Sequence, residues 1–196
     1  MAASPNRLVL PLVAFLFGVI GLGLAVWWTL APGPQRAGGG VGGAFALVDQ
    51  NGQPTTEAAL RGGPSLVFFG FTHCPDVCPT ALMEITQLYD ALGPRADRLK
   101  TFFVSVDPER DTPALLKTYL ASFDARIRGL TGSPEAVQTI MKAYRVYARR
   151  VPLDSGGYTM DHTALVYLMD RSGAFVGAFN LKRPVAEQVK EIDRQL

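Results

Sequence analysis

Residues 8–30 form an almost unbroken apolar run, and no charged residue occurs between positions 8 and 35. A helix of about 20 residues crosses the ~30 Å hydrocarbon core of a bilayer. The apolar core of a cleaved signal peptide is shorter, about 7–15 residues. The run therefore predicts a transmembrane anchor over 8–30. Because Arg7 lies at its near end, residues 1–7 are expected to be cytoplasmic and the rest of the chain to lie across the membrane.

A glycine-rich segment follows, and after it the pattern alternates between strands and helices. Residues 31–44 include PGPQRAGGGVGG, which predicts a flexible linker, and a folded domain is expected over 45–196. The first predicted elements are a short strand from Phe45 with an Asn-Gly turn, and two core strands over 65–71 and 100–107 on either side of a helix from about Pro79 to Leu92. The unbroken apolar run over 65–71 is typical of a strand buried on both faces, and the expected core residues of the two strands are Phe68, Phe69, Phe102 and Phe103. Thr112-Pro113 and Ser133-Pro134 predict the starts of helices over 112–123 and 133–144. A hairpin of 163–170 with 174–179 and a helix from Pro184 follow. Strands alternating with helices predict an α/β domain with a mixed sheet. Pro, Ser and a Gly pair within 149–161 predict an exposed loop.

Composition and charge exclude several classes of protein. Apolar residues make up 48% of the chain, which excludes a disordered protein, and two cysteines cannot form a disulfide-dense scaffold. Residues 1–36 contain Arg7 and Arg36 and no acid, so the other 17 basic residues balance the 17 acidic ones. A neutral domain has no electrostatic reason to bind nucleic acid.

Both cysteines, Cys74 and Cys78, lie in FTHCPDVCPT between a predicted core strand and a predicted helix. Sites in α/β sheets lie at the carboxyl ends of strands. The amino-terminus of the helix is expected to stabilise thiolates and to lower their pKa. This placement indicates redox chemistry or a soft-metal site rather than two inert cysteines, and the spacing alone does not choose between them.

His162 is the histidine that could complete a metal site with the cysteines. Taken alone, a histidine at a strand end is more often a surface or capping residue. Two thiolates and an imidazole nevertheless suit copper, because thiolates favour Cu(I) and imidazole binds copper in either state. Zinc usually takes four ligands, and only Asp161 and Asp76 offer themselves as a fourth.

Three segments resemble the signature blocks of the Sco/SenC copper-chaperone family. They are GFTHCPDVCPT (70–80), SVDPERDTP (105–113) and DHTALVYLMD (161–170), in the same order and spacing as in the family. The resemblance extends from about Phe45 to the end of the chain. It implies a thioredoxin-like fold in which Cys74, Cys78 and His162 bind one copper ion, as Cu(I) or Cu(II).

The resemblance also implies a function and a place. The protein would help to build the binuclear copper centre of cytochrome c oxidase subunit II, by delivering copper, by reducing the cysteine pair of that subunit, or by both. With the anchor, it would face the periplasm from a bacterial inner membrane. A copper donor or a thiol reductant, not identified by the sequence, would act before it.

Two enzymatic alternatives stay open from the residues alone. A membrane-tethered thiol-disulfide oxidoreductase would use Cys74 and Cys78 as a catalytic disulfide pair, although thioredoxin-type enzymes have a C-x-x-C motif one residue shorter. A peroxidase is the weaker alternative, because Pro75 stands where peroxiredoxins have a threonine.

The remaining signature residues each have two interpretations. Asp107, Pro108 and Asp111 either border the site or belong to a turn that caps the next helix. Asp161 either hydrogen-bonds the His162 ring or is part of the loop. Met160 is more often a packing residue than a ligand in such a position.

Overall fold

A computed structural model of the chain describes residues 15–23 and 40–196. The chain divides into two compact units, residues 1–38 and 39–196. In the first unit, residues 15–23 are helical and exposed. No helix within the described residues has both the length and the apolar character needed to span a bilayer. The predicted segments 1–7, 8–30 and 31–44 fall mostly outside the described residues.

The second unit is built on a seven-stranded sheet. Its strands are β1 (Ala46–Asp49), β2 (Pro54–Thr56), β3 (Ser65–Gly70), β4 (Lys100–Ser105), β5 (Ile127–Thr131), β8 (Val166–Met169) and β9 (Phe175–Phe179), and their order across the sheet is β2-β1-β5-β4-β3-β8-β9. A separate hairpin pairs β6 (Ala148–Pro152) with β7 (Tyr158–His162). The helices are α1 (Val77–Leu92), α2 (Pro113–Leu120), α3 (Pro134–Ala143) and α4 (Val185–Asp193), with 3-10 turns at Glu57–Leu60 and Gly93–Arg98. Strands β3, β4 and β5 run parallel and their other neighbours antiparallel, which confirms the predicted mixed sheet.

The central strand β3 is fully buried, as its unbroken apolar run predicts. Every residue of β3 is buried, and the predicted core residues lie in β3 and β4: Phe68, Phe69, Phe102 and Phe103. A strand buried on both faces needs no polar alternation. Pro113 and Pro134 open their helices as predicted, with Thr112 and Ser133 as the caps.

Helix α1 begins at Val77, two residues before the predicted start. Cys78 therefore lies in its first turn, whereas Cys74 lies in the turn between β3 and α1. The two cysteines do not share one helical face.

The exposed loop predicted over 149–161 is wrong, because most of it forms the β6–β7 hairpin. The strands pair antiparallel from Ala148 opposite His162 to Pro152 opposite Tyr158. Only residues 153–157 form the turn, where Gly157 has φ 78°. The strands are polar and partly exposed, so backbone pairing rather than an apolar face holds them together and the hydrophobic pattern gives no sign of them.

Strand β5 was not among the predicted elements. Its sequence, IRGLT, is short and interrupted by a glycine. Gly129 lies under α2, where a Cβ would lie 2.7 Å from the Leu120 side chain. The glycine that obscures the strand pattern thus permits close packing of the helix on the sheet.

Candidate metal centre

The cysteine loop, defined as residues 71–76, connects the end of β3 to the start of α1. The N–H of Cys74 donates to the carbonyl of Phe71 at 3.2 Å, which closes a turn. The N–H of Cys78 points at the Cys74 sulfur, 3.4 Å away. Both cysteines are free thiols, Cys74 half-buried and Cys78 completely buried. The loop therefore brings the two sulfur-bearing residues together, with one of them open to solvent.

Burial dominates the chemistry of Cys78. Burial raises the pKa of the Cys78 thiol well above its ordinary value, a hydrogen bond with the Phe71 backbone offsets this in part, and the neighbouring Cys74 raises it further. The expectation that the helix amino-terminus lowers this pKa is wrong for Cys78, because desolvation of a thiolate outweighs the helix dipole. A buried thiol remains protonated until a cation replaces its proton.

Gly70 gives the buried sulfur its space. A Cβ at this position would lie 2.8 Å from the Cys78 sulfur and 2.6 Å from the Phe103 ring. Both distances are shorter than packed atoms permit. The last residue of β3 must therefore be glycine for Cys78 to lie against the sheet.

Asp111 fixes the cysteine loop to the end of β4. Its carboxylate accepts hydrogen bonds from the Thr72 N–H at 3.1 Å, the Thr72 hydroxyl at 2.6 Å and the Ser105 hydroxyl at 2.7 Å. The side chain is fully buried. Thr112 caps α2, so Asp111 borders the site and is not the helix cap. Thr72 and Ser105 show no sequence pattern that would have identified this role.

His162 ends strand β7 and packs against the residue that begins the cysteine loop. Its ring meets the Phe71 ring edge-on, with centroids 5.7 Å apart and planes at 86°. Its Nδ1 lies 3.0 Å from the carbonyl oxygen of Thr163. A carbonyl only accepts, so Nδ1 carries the hydrogen and a neutral ring keeps the lone pair on Nε2.

The other residues considered as ligands or partners have different contacts. The Asp161 carboxylate is exposed and pairs with Arg149 at 3.3 Å, while the hydrogen bond on His162 goes to the backbone. Asp76 is exposed and accepts from the Thr80 hydroxyl at 3.3 Å. Met160 is half-buried against the core, in agreement with a packing role.

The described residues contain no ready cluster of three His, Cys, Asp or Glu side chains around a common point. The structure brings Cys74 and Cys78 together and places His162 against Phe71, three residues before Cys74. Tyr119 lies beside this group. Its hydroxyl is buried without a hydrogen-bond partner, and burial together with the nearby Cys78, Cys74 and Asp111 raises its pKa. Nothing in the sequence of α2 indicated that Tyr119 lies near the cysteines.

Comparison with known proteins decides the family. The family model for SCO1/SenC matches residues 33–196. A SCO2-like protein of Rickettsia felis is 38% identical over 143 residues, which cover 72% of this chain and 70% of that protein. The copper-bound structure of ScoI from Bradyrhizobium japonicum is 54% identical, with a TM-score of 0.77 over 80% of this chain and 99% of that one. The chain belongs to the SCO1/SenC family.

The Sco relatives also confirm the fold. The structures of ScoI and of BsSco, which is described as a member of the Sco family of cytochrome c oxidase assembly proteins, share the thioredoxin-like α/β fold. BsSco is 23% identical, with a TM-score of 0.61 over 79% of this chain and 92% of that one. Sco relatives occur in mitochondria, as SCO2 does in Saccharomyces cerevisiae, and in bacteria.

The donor set of this Sco chain fits copper. Two thiols and an imidazole nitrogen are soft or borderline ligands, which copper prefers to carboxylates. The carboxylates next to the cysteine loop and the histidine, Asp111 and Asp161, already have partners within the protein. Among the described cysteine, histidine and carboxylate side chains around the loop, the uncommitted donors are therefore sulfur and nitrogen.

Proposed function

We propose that this Sco protein is a copper chaperone that carries one copper ion on Cys74, Cys78 and His162. The juxtaposition of the cysteines is the observation that carries the proposal: the Cys78 N–H meets the Cys74 sulfur at 3.4 Å, beside the Phe71 ring against which His162 packs. The copper-bound state of the related ScoI supports the choice of metal. The ion is cargo, bound as Cu(I) or Cu(II).

Each of the three residues has a distinct part in loading and release. Cys74 is half-buried and is the sulfur that an incoming donor or an accepting protein would meet first. Cys78 is buried and gives up its proton when the metal binds. His162 offers Nε2, since the Thr163 carbonyl holds the hydrogen on Nδ1. Because His162 belongs to a separate hairpin, the proposed ligand set needs that hairpin to hold the imidazole beside the cysteine loop.

The proposed recipient is the binuclear copper centre of cytochrome c oxidase subunit II. The family's association with cytochrome c oxidase assembly supports a role in that process, and a copper centre of the oxidase is the acceptor that a copper carrier would serve. We further propose that residues 8–30 anchor the domain to the bacterial inner membrane with 45–196 on the periplasmic side. The uncharged length of the apolar run supports this.

A competitive copper titration tests the proposal. The full chain, with its cysteines reduced and oxygen excluded, is titrated with Cu(I) and then Cu(II) against a chelator. We expect one tight copper per chain, weakened by at least about tenfold in Cys74→Ser, Cys78→Ser and His162→Ala. His73→Ala is the matched control, because His73 is the chain's other histidine, is exposed and adjoins Cys74. Absence of tight copper, or equal binding by wild type and His162→Ala, would overturn the proposed ligand set.

Thiol-disulfide exchange is the second candidate, favoured by the same proximity of two free thiols. Cys74 and Cys78 would form one disulfide and pass two electrons and two protons to a disulfide of the partner, which would be reduced to two thiols. The cysteine pair of the oxidase subunit is the proposed substrate. This activity does not need His162, so a reduction potential and an exchange rate unchanged in His162→Ala, without tight copper, would favour it over the chaperone.

A further inference from the structure

The hairpin that carries His162 lies outside the main sheet, and polar side chains make many of its contacts with the body of the domain. Strands β6 and β7 pair only with each other. Between the hairpin and the body lies a cleft of about 370 Å³, lined on the hairpin side by Ala148, Arg149, Arg150 and Met160. Ala148 and Met160 are only partly buried against the core, so packing holds the hairpin less firmly than it holds a strand of the main sheet. Its position therefore also depends on specific polar contacts.

Tyr158, at the start of β7, makes the most extensive of these contacts. Its hydroxyl donates to the Asp107 carboxylate at 2.9 Å. Two guanidinium groups lie over its ring, that of Arg110 3.8 Å and that of Arg150 4.4 Å from the ring centroid. The Arg110 guanidinium also donates to the Tyr158 carbonyl at 2.9 Å. One side chain thus combines a charge-assisted hydrogen bond with two cation–π contacts.

The partners of Tyr158 connect the hairpin to the body in two ways. In the body, Asp107 is buried and forms an ion pair with Arg110. Arg150 belongs to β6 of the hairpin and pairs with Glu109 of the body. The Asp111 N–H donates to the Asp107 carbonyl at 2.9 Å, so one turn, residues 107–111, holds both carboxylates. Asp111 binds the cysteine loop, and Asp107 binds the histidine hairpin. The same turn therefore sets the distance between the two halves of the site.

We propose that Tyr158 is a positioning residue, which fastens the β6–β7 hairpin to the 107–111 turn and so holds His162 facing the cysteine loop. The role of His162 in this inference rests on the proposed function, whereas the attachment of the hairpin by Tyr158 does not. Tyr158 touches neither cysteine in the contacts described; it acts through the strand that ends at His162.

Three variants separate the parts of this contact. Tyr158→Phe keeps the aromatic ring beside the two arginines and loses the hydrogen bond to Asp107. Tyr158→Leu loses the aromatic ring as well as the hydrogen bond. Tyr147→Leu is the matched control, because Tyr147 precedes β6 and its side chain is exposed. In the metal-free full chain, we expect amide exchange over 149–162 to accelerate about tenfold or more in Tyr158→Leu, less in Tyr158→Phe and not in Tyr147→Leu. Exchange over 65–70 should stay unchanged.

Copper affinity then tests the positioning of His162. We expect Tyr158→Leu to weaken binding about tenfold when His162 is present and not at all in a His162→Ala background. An equal loss in both backgrounds would show a merely structural role and overturn the proposal. Unchanged exchange over 149–162 in Tyr158→Leu would also overturn it. If His162→Ala itself leaves copper binding unchanged, the proposed ligand set fails, and the exchange measurement decides the fastening role separately.

Discussion

Cys78 lies in the closed core beneath the seven-stranded sheet, whereas His162 ends an exposed two-stranded hairpin. On the cysteine side, the Cys78 sulfur packs against Gly70, and the buried carboxylate of Asp111 accepts three hydrogen bonds. On the histidine side, the buried Asp107 is joined by arginine, tyrosine and glutamate side chains that are partly exposed. The proposed carrier must bind its cargo and release it, and this division assigns the rigid part of its site to the buried cysteine side and the movable part to the more exposed hairpin.

The core that supports the cysteine side should show the largest effect. Phe69 is fully buried in β3, with its ring 5.3 Å from that of Tyr144 and 5.7 Å from that of Tyr167. We expect Phe69→Ala to lower the free energy of unfolding by about 3–5 kcal/mol, because the cavity cannot close. Denaturant unfolding measures the loss. Val176→Ala, at a half-exposed position of edge strand β9, is the control and should change stability by less than about 0.5 kcal/mol.

Removal of the carboxylate that holds the cysteine loop should come next. Asp111→Ala leaves the Ser105 hydroxyl and the Thr72 N–H and hydroxyl without their acceptor. We expect a loss of about 2–3 kcal/mol in the free energy of unfolding. Because Thr72 is two residues from Cys74, alkylation of Cys74 should also accelerate. Asp111→Asn, which retains one acceptor oxygen, should lose less, and a stability equal to wild type in Asp111→Ala would show that the loop is held by other contacts.

The sequence predicted the rigid side of the site far better than the movable side. The unbroken apolar run of β3 identified a strand buried on both faces, and β4 was recognised as a second core strand. The Thr-Pro and Ser-Pro pairs identified the starts of α2 and α3. Cys74 was correctly placed between β3 and α1, whereas Cys78 lies in the first turn of the helix. Burial and local capping leave clear patterns of this kind in a sequence.

The missed features depend on partners that are distant in sequence. The hairpin residues are polar, and their pairing shows only once Ala148 faces His162. Asp111 holds Thr72, 39 positions away, and Tyr158 reaches Asp107, 51 positions away. No local pattern records such contacts. The raised pKa of Cys78 was missed because it depends on how deeply the sulfur is buried, which the motif does not show.

Asp49, the last residue of β1, should make the free energy of unfolding depend on pH. Burial raises the pKa of Asp49, but hydrogen bonds from the backbone of Gln53 and Asn51 and the Arg128 guanidinium outweigh it, and the pKa lies below 3.8. A lowered folded-state pKa stabilises the protein above the unfolded value, and that contribution is lost as pH falls through the folded value.

The measurement compares wild type with Asp49→Asn. We expect wild type to be more stable by about 1 kcal/mol near neutral pH, and the difference to shrink between about pH 5 and pH 2. Denaturant unfolding at several pH values gives the curve. A difference that stays constant, or grows in acid, would contradict the assignment of charge-dependent bonds to Asp49.

The smallest effect is expected at Asp161, and it distinguishes the two ways in which His162 could be held. The carboxylate pairs with Arg149 at 3.3 Å, and both side chains are more than half exposed. An exposed pair of this kind contributes little, so Asp161→Ala should change the free energy of unfolding by less than about 0.5 kcal/mol. Because the Thr163 carbonyl and not Asp161 holds Nδ1 of His162, copper affinity should change by less than about twofold. Arg149→Ala removes the same ion pair and is the control. A tenfold loss of affinity in Asp161→Ala alone would show that the carboxylate turns to the imidazole when copper binds, and the histidine side would then be held by two different partners in its two states.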